Sequence, residues 1–311
     1  MKSRLAVTNS EAGFWGNATL LLAAMRPIEW VKNGFVAAPL FFSGQATELE
    51  KVSLAGLALM AFCAMSSVVY LLNDITDRER DRLHPTKRLR PIASGNLSVR
   101  VAGIAIPILI ALSFGLASFS WEVLGVLACY GLVNVAYTLR LKQVVIVDLI
   151  SIALGFVLRV YAGGFAIGVS PSSWLVLATF LLSLFLALAK RRHELSLIGI
   201  DAPTHRPVLE NYSIKFVDEL ISVVTPTTLL TYILYTLDSV TVARLHSRHL
   251  FLTSVFVVFG IFRYLYLIHQ KGLGGSPSDL VLKDIPLLST ILGWILSFAL
   301  IVYFSGALLP P

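Results

Sequence analysis

Leu54-Ala55-Gly56-Leu57-Ala58-Leu59-Met60-Ala61-Phe62-Cys63-Ala64-Met65-Ser66-Ser67-Val68-Val69-Tyr70-Leu71-Leu72 runs straight into Asn73-Asp74-Ile75-Thr76-Asp77-Arg78-Glu79-Arg80-Asp81. The first part is close to the 20 or so apolar residues that a helix needs to cross a bilayer. It shows no alternation of polar and apolar positions, which excludes a barrel strand. The second part is acidic, and cations follow it as far as Arg90. A membrane-crossing helix that ends in a charged cluster at the membrane surface is therefore the unit from which this chain is built.

The same pattern continues in both directions. The chain has 311 residues, 56% of them hydrophobic and only 14% charged. A soluble domain carries roughly 25% charged residues. The mean hydropathy of +0.79 agrees. Apolar runs predict spans near 28–43, 54–73, 101–120, 122–138, 144–165, 173–190, 216–237, 249–269 and 286–305. The predicted fold class is an all-α membrane protein of about nine transmembrane helices. No Pro/Ser-rich linker or low-complexity stretch divides it, so residues 1–311 read as a single integral-membrane domain. Residues 1–25 lack the pattern of a cleavable signal peptide. Within them, Phe14 to Met25 reads either as an interfacial helix or as a disordered tail. Gly155, Gly163, Gly164 and Gly260 predict close helix packing, and Pro39, Pro107 and Pro226 predict kinks. Cys63 and Cys129 lie inside predicted spans without metal or haem spacing, and read as packing residues.

The net charge of +7 is concentrated in alternate loops. Arg78, Arg80, Arg82, Lys87, Arg88, Arg90 and Arg100 follow the second span. Arg140 and Lys142 follow the fourth, Lys190, Arg191, Arg192, Arg206 and Lys215 the sixth, and Lys271 and Lys283 the eighth. Loops rich in Lys and Arg stay in the cytoplasm. That places the acidic segment on the cytoplasmic side of an inner or plasma membrane. Arg244 and Arg248 are exceptions in a predicted outer loop. Nucleic acid is excluded as a partner, because the charges are split among loops and no recognition motif is present.

The acidic segment carries the chemistry. On a helix at about 100° per residue, Asn73, Asp74, Asp77 and Asp81 fall within an arc of roughly 100° and face one side. Magnesium prefers oxygen ligands and often bridges one or two carboxylates to substrate phosphates. Carboxylates beside cations at a membrane surface suit a magnesium-bound diphosphate. No Walker spacing, nucleophile elbow or histidine metal spacing offers another chemistry.

Asn73 through Asp81 resembles the first aspartate-rich motif of the UbiA superfamily of intramembrane prenyltransferases. His84-Pro85-Thr86-Lys87-Arg88-Leu89-Arg90-Pro91-Ile92-Ala93-Ser94-Gly95 is similar to the loop that follows it there. The resemblance covers nearly the whole chain. It implies helices ringed about a central cavity open to the cytoplasm and to lipid, and it leaves a homotrimer open.

Typical aromatic prenyltransferases of this group carry a second aspartate-rich loop after the sixth span. Here that position reads Lys190-Arg191-Arg192-His193-Glu194-Leu195, followed by Asp201, Arg206, Glu210 and Tyr212. Arg26-Pro27-Ile28-Glu29-Trp30-Val31-Lys32-Asn33, the Lys190-Arg191 element and 260–277 instead resemble the decaprenyl-phosphate phosphoribosyltransferase branch. That branch implies phosphoribosyl pyrophosphate as donor, a polyprenyl phosphate lipid as acceptor, release of pyrophosphate, and a place in cell-envelope arabinan synthesis. Mg2+ is the expected cofactor, on Asp74, Asp77 and Asp81. Expected substrate contacts are Lys32, Asn33, Asn73, Lys87, Arg88, Arg90, Lys142, Asp148, Lys190, Arg191, Glu194, Tyr212, Arg263 and Lys271. Asp148 and Arg159 share a helix face about 16 Å apart, too far to pair. Glu29 stands one turn from Lys32, within pairing distance. Lys271 with Gly272, Gly274 and Gly275 reads as a flexible cationic loop. Two alternatives stand beside this reading. An aromatic or quinone-pathway prenyltransferase would ionise a prenyl diphosphate at the same motif, and the basic second loop counts against it. A transporter or lipid-binding scaffold would leave the acidic motif without a purpose.

Overall fold

The computed structural model describes residues 14–84, 86–197 and 207–308, and the regular elements among them are helices. They are α1 (Phe14–Met25), α2 (Ala38–Phe42), α3 (Leu49–Thr76), α4 (Arg78–Leu83), α5 (Val99–Leu116), α6 (Trp121–Leu139) and α7 (Val147–Ala166). After these come α8 (Ser173–Ser196), α9 (Ile214–Leu237), α10 (Ser239–Leu245), α11 (Ser254–Gln270), α12 (Pro277–Lys283) and α13 (Ile285–Leu308). Eight segments among the described residues are long and apolar enough to cross a membrane: α3, α5 to α9, α13, and α11 with its lead-in from His249.

The predicted first span takes a different form. Pro27–Ala37 winds as a 3-10 helix and hands over to the short α2. Pro27 opens the 3-10 stretch and Pro39 opens α2, each in a first turn where its missing N–H costs little, so Pro39 rules out one unbroken α-helix across the span and Gly34 weakens the helix before it. The tighter winding extends the chain. At about 2.0 Å per residue the 3-10 stretch covers roughly 22 Å, and α2 adds about 7 Å. Their sum matches the ~30 Å hydrocarbon core. The segment lies along α3 and α7, running from Arg26 beside Asp74 to Leu40 clustered with Ala55 and Ile167. It is a ninth, irregular crossing.

α3 and α7 are the inner helices. Their apolar stretches are 61% buried, against 22% for α5, α6 and α13. Leu71, Phe62 and Ala61 of α3 pack with Leu127, Tyr130, Leu158 and Ala162 in one core cluster. A second cluster joins α8, α9 and α11 through Phe185, Val217, Ile221 and Tyr264. Five helices start on a serine whose hydroxyl accepts a first-turn N–H: Ser98, Ser120, Ser172, Ser213 and Ser276. Each such cap is worth about 1 kcal/mol.

Gly163 fixes the central contact. A methyl group there would sit 1.8 Å from the carbonyl oxygen of Val36, so the first segment lies directly on α7. Gly164 is also crowded, where a methyl would meet Val169 and Pro171 at 2.6 Å, whereas Gly155 and Gly260 have room for a methyl. Pro107 and Pro226 lie inside α5 and α9 as expected.

Four local expectations are corrected. The helix carrying the acidic motif does not run on unbroken: α3 ends at Thr76, and α4 starts after a break at Asp77. Every residue from Arg78 to Arg82 is charged, so the chain leaves the apolar layer there. Residues Lys190 to Leu195 are not a loop but the last turns of α8. That helix is about 36 Å long, more than the hydrocarbon core, so its basic end stands beyond it. Cys63 is buried, but Cys129 is exposed on its helix. The 271–276 loop packs tightly on α8: a methyl on Gly275 would meet the His193 ring at 2.7 Å, and His193 Nδ1 lies 2.8 Å from the Gly272 carbonyl.

Candidate active site

Asp74 sits near the end of α3 and is 1% exposed. Its Oδ1 pairs with Arg26 and accepts from Arg90 Nη1 at 3.2 Å. The same Arg90 nitrogen donates to Asp81 Oδ2 at 2.6 Å, so one guanidinium bridges two carboxylates. Asp81 is also buried, on α4. Asp77, at the break, accepts from Lys142 Nζ at 2.9 and 3.2 Å, and Arg80 lies 3.9 Å away. Asn73 Oδ1 accepts from the Thr138 hydroxyl at 2.7 Å. The break at Asp77 therefore turns its carboxylate to the α6–α7 connection, while Asp74 and Asp81 share Arg90.

Two members of this cluster escape sequence reasoning. Arg26 lies 48 positions before Asp74 in the chain. It adopts a left-handed backbone, φ 55°, unusual for a residue other than glycine, and stacks over Tyr70 at 4.9 Å. The sequence offered its place at the head of the Arg26–Asn33 stretch, just before Pro27, but nothing that tied it to Asp74. Thr138 is an ordinary helix residue by sequence and carries no signal.

A second polar cluster joins α7, α8 and the segment before α9. Asp148 is fully buried; its Oδ2 pairs with Arg191, and its Oδ1 accepts from the Tyr212 hydroxyl at 2.8 Å. Arg191 Nη1 also donates to Glu194 at 2.7 Å. Burial, together with the hydrogen bond to Asp148, pushes the Tyr212 hydroxyl up to about 12, so it stays a donor across the physiological range. A bonding partner for Arg191 Nε is absent among the described residues.

The remaining expected contacts are spread out. Lys32 pairs with Glu29, and the positive fields of Lys190 and Arg26 also reach Glu29. Ser278 of α12 contacts the same carboxylate at 3.5 Å. Asn33 is fully buried: it accepts from Arg159 Nε at 2.8 Å and donates to Ser66 at 3.2 Å. Arg159 completes its bonding with the Gly155 carbonyl and the Tyr130 hydroxyl, each at 2.8 Å. It thus pairs with neither Asp148 nor any other carboxylate among the described residues. Lys87 is half-buried and Arg88 exposed on the turn after α4. Arg263 is held by Asp284 at 2.8 and 3.1 Å, and Lys271 lies over Tyr266. No contact among the described residues brings these two into either cluster. Asp201 and Arg206 lie outside the described residues.

The donor set suits a divalent cation shared with substrate. Asp74 Oδ2 is buried and accepts no hydrogen bond from the described residues. Leaving a buried carboxylate oxygen unbonded costs about 1–3 kcal/mol, so this atom is ready for a ligand. No ready-made group of three or more Asp, Glu, His or Cys ligands exists among the described residues. Magnesium is commonly bound by one or two carboxylates with substrate phosphates completing the sphere, which matches this arrangement.

Residues 34–275, which include both clusters apart from Arg26, match the UbiA prenyltransferase family. The chain belongs to that family. It is 32% identical over 299 residues to the decaprenyl-phosphate phosphoribosyltransferase of Mycolicibacterium smegmatis, covering 92% of this chain and 93% of the relative. The enzyme of the same name from Corynebacterium glutamicum is 33% identical over 290 residues, with 91% and 86% covered. In fold the chain is similar to a UbiA homologue from Archaeoglobus fulgidus solved with DMAPP and Mg2+. There the TM-score is 0.68 at 19% identity, covering 91% of this chain and 99% of that one. At that identity the likeness speaks for the fold alone.

Proposed function

We propose that this chain transfers 5-phosphoribose from phosphoribosyl pyrophosphate to a polyprenyl phosphate of the decaprenyl type. The observation that carries the reading is the first cluster: three aspartates, each held by Arg26, Arg90 or Lys142, with the buried Asp74 Oδ2 unbonded among the described residues. The named relatives support it, because they match along more than nine-tenths of this chain. The basic end of α8 supports it too. A donor with a diphosphate and a separate 5-phosphate calls for cations where a prenyl diphosphate calls for more carboxylates.

In this reading Asp74, Asp77 and Asp81 hold Mg2+, which neutralises the leaving diphosphate when bound. Arg26, Arg90 and Lys142 turn from the carboxylates toward phosphate oxygens. Arg26 and Arg90 match two oxygens at once, and Lys142 acts as a point charge. An oxygen of the lipid phosphate bonds to C1 of the ribose. The bond from C1 to the diphosphate breaks, and pyrophosphate leaves with the electron pair. The lipid phosphate is already ionised near neutral pH, so no side chain has to remove a proton. Arg191, Lys190 and Lys32 are assigned to the outlying phosphates. Asn73, fixed by Thr138, orients the donor. The chain forms a single domain in a bacterial inner membrane, with both clusters facing the cytoplasm.

Purified protein given Mg2+, labelled phosphoribosyl pyrophosphate and polyprenyl phosphate should yield lipid-linked label and pyrophosphate. Turnover only with a prenyl diphosphate and an aromatic acid would replace this reading with aromatic prenylation. Failure with both donors, alongside ligand flux in liposomes, would replace it with transport.

A further inference from the structure

Ile146 is strained. Its φ of 69° and ψ of −44° lie where a β-branched residue is a rare outlier. The side chain is 45% exposed, so packing does not hold it there. Its backbone is what is bound. The Ile146 N–H donates to the Tyr212 oxygen at 2.7 Å, and the Tyr212 hydroxyl donates onward to Asp148 at 2.8 Å. Asp148 is anchored in turn by Arg191.

Upstream, the same connection closes on itself. Gln143 and Val144 donate to the carbonyls of Arg140 and Leu141, making a 3-10 turn at Leu141–Gln143. Lys142 projects from that turn to both oxygens of Asp77. A strained residue persists only where its surroundings over-determine it. Here the surroundings are Tyr212 on one side and the start of α7 on the other, where Leu149 and Ile150 donate to the Ile146 carbonyl.

We infer that Tyr212 is a positioning residue: by holding Ile146 in its left-handed turn it sets Lys142 against Asp77, and so couples the second polar cluster to the first. The tyrosine oxygen makes both contacts with the protein and is 6% exposed as a residue, which suits this role better than contact with a ligand. The kinetic half of the test rests on the phosphoribosyl-transfer reading.

Tyr212→Phe keeps the ring against Phe216 and deletes both hydrogen bonds. Amide exchange across 141–149, read by mass spectrometry without substrate, should rise about tenfold, the equivalent of one lost hydrogen bond. KM for phosphoribosyl pyrophosphate should rise about tenfold with kcat within about twofold, the pattern of lost donor binding. Glycine adopts the left-handed turn without strain. Tyr212→Phe with Ile146→Gly should therefore bring KM back to within about threefold of the unmodified protein, since the turn no longer needs the hold. Ile146→Gly alone should keep the original KM. Unchanged exchange, absent recovery by glycine, or a KM defect in Ile146→Gly alone would each overturn the inference. If the unmodified protein transfers no ribose, the functional reading fails, and the exchange measurement alone decides the role of Tyr212.

Discussion

At the scale of single residues, Asp77 separates chemistry from folding best. Asp74 is buried between Arg26 and Arg90, so removing its carboxylate would strand two cations and confuse a catalytic loss with a structural one. Asp77 is 28% exposed at the side chain and hydrogen-bonds one cation, Lys142, itself 11% exposed. Partly exposed pairs of this kind contribute roughly 0–1 kcal/mol. Asp77→Ala should therefore leave the melting temperature in detergent almost unchanged. If Asp77 helps hold Mg2+, losing it should cost several kcal/mol of transition-state stabilisation, or a hundredfold or more in turnover, as an order of magnitude. Near-normal turnover of the folded variant would remove Asp77 from the metal site. The acidic motif was legible because its spacing is local and chemically distinctive. Arg26, Thr138 and Tyr130 were not. Each meets its partner across more than 25 positions of chain, and nothing in its own neighbourhood announces the meeting.

At the scale of elements, periodicity and length located α3, α5 to α9, α11 and α13, because a bilayer demands long apolar helices. They failed to specify the first crossing. Pro27, Gly34 and Pro39 were visible, but the 3-10 winding depends on what the segment packs against. That partner is α7 at Gly163. Gly163→Ala would drive a methyl into the Val36 carbonyl, and backbone on both sides must shift. Overpacking of this kind costs about 1–3 kcal/mol, and more where backbone is the obstacle. The variant should melt several degrees lower in detergent. Gly260→Ala is the matched control, because its methyl would meet only the Thr290 side chain at 3.8 Å. If both variants melt like the original protein, the first segment does not rest on α7 in this way. The end of α8 shows a related limit: charge suggested a loop, while helix length carried the same residues past the apolar layer.

At the scale of the whole molecule, the irregular first segment decides the parity of the fold. Eight crossings would place α1 and the turn after α2 on the same side. Nine place them on opposite sides, and the ion pair between Arg26 and Asp74 requires α1 to end level with the acidic cluster. The count then alternates consistently. Asp74, Lys142, Lys190 and Lys271 fall at one surface, and Glu48, Arg244 and Arg248 at the other. This is also the distribution that favours a cytoplasmic first surface, since most of the basic residues lie there. Single cysteines test it directly. Gly16→Cys, Glu48→Cys, Arg88→Cys and Arg248→Cys can each be placed in a chain whose exposed Cys129 is replaced by serine; Cys63 is already buried. A membrane-impermeant maleimide added to intact cells should label the positions at 48 and 248. It should label those at 16 and 88 only after the cells are opened. Labelling of 16 and 48 from the same side would make the first segment re-entrant, breaking the link between Arg26 and Asp74. Labelling of 88 from outside would turn the molecule over and move the donor site away from the cytoplasm.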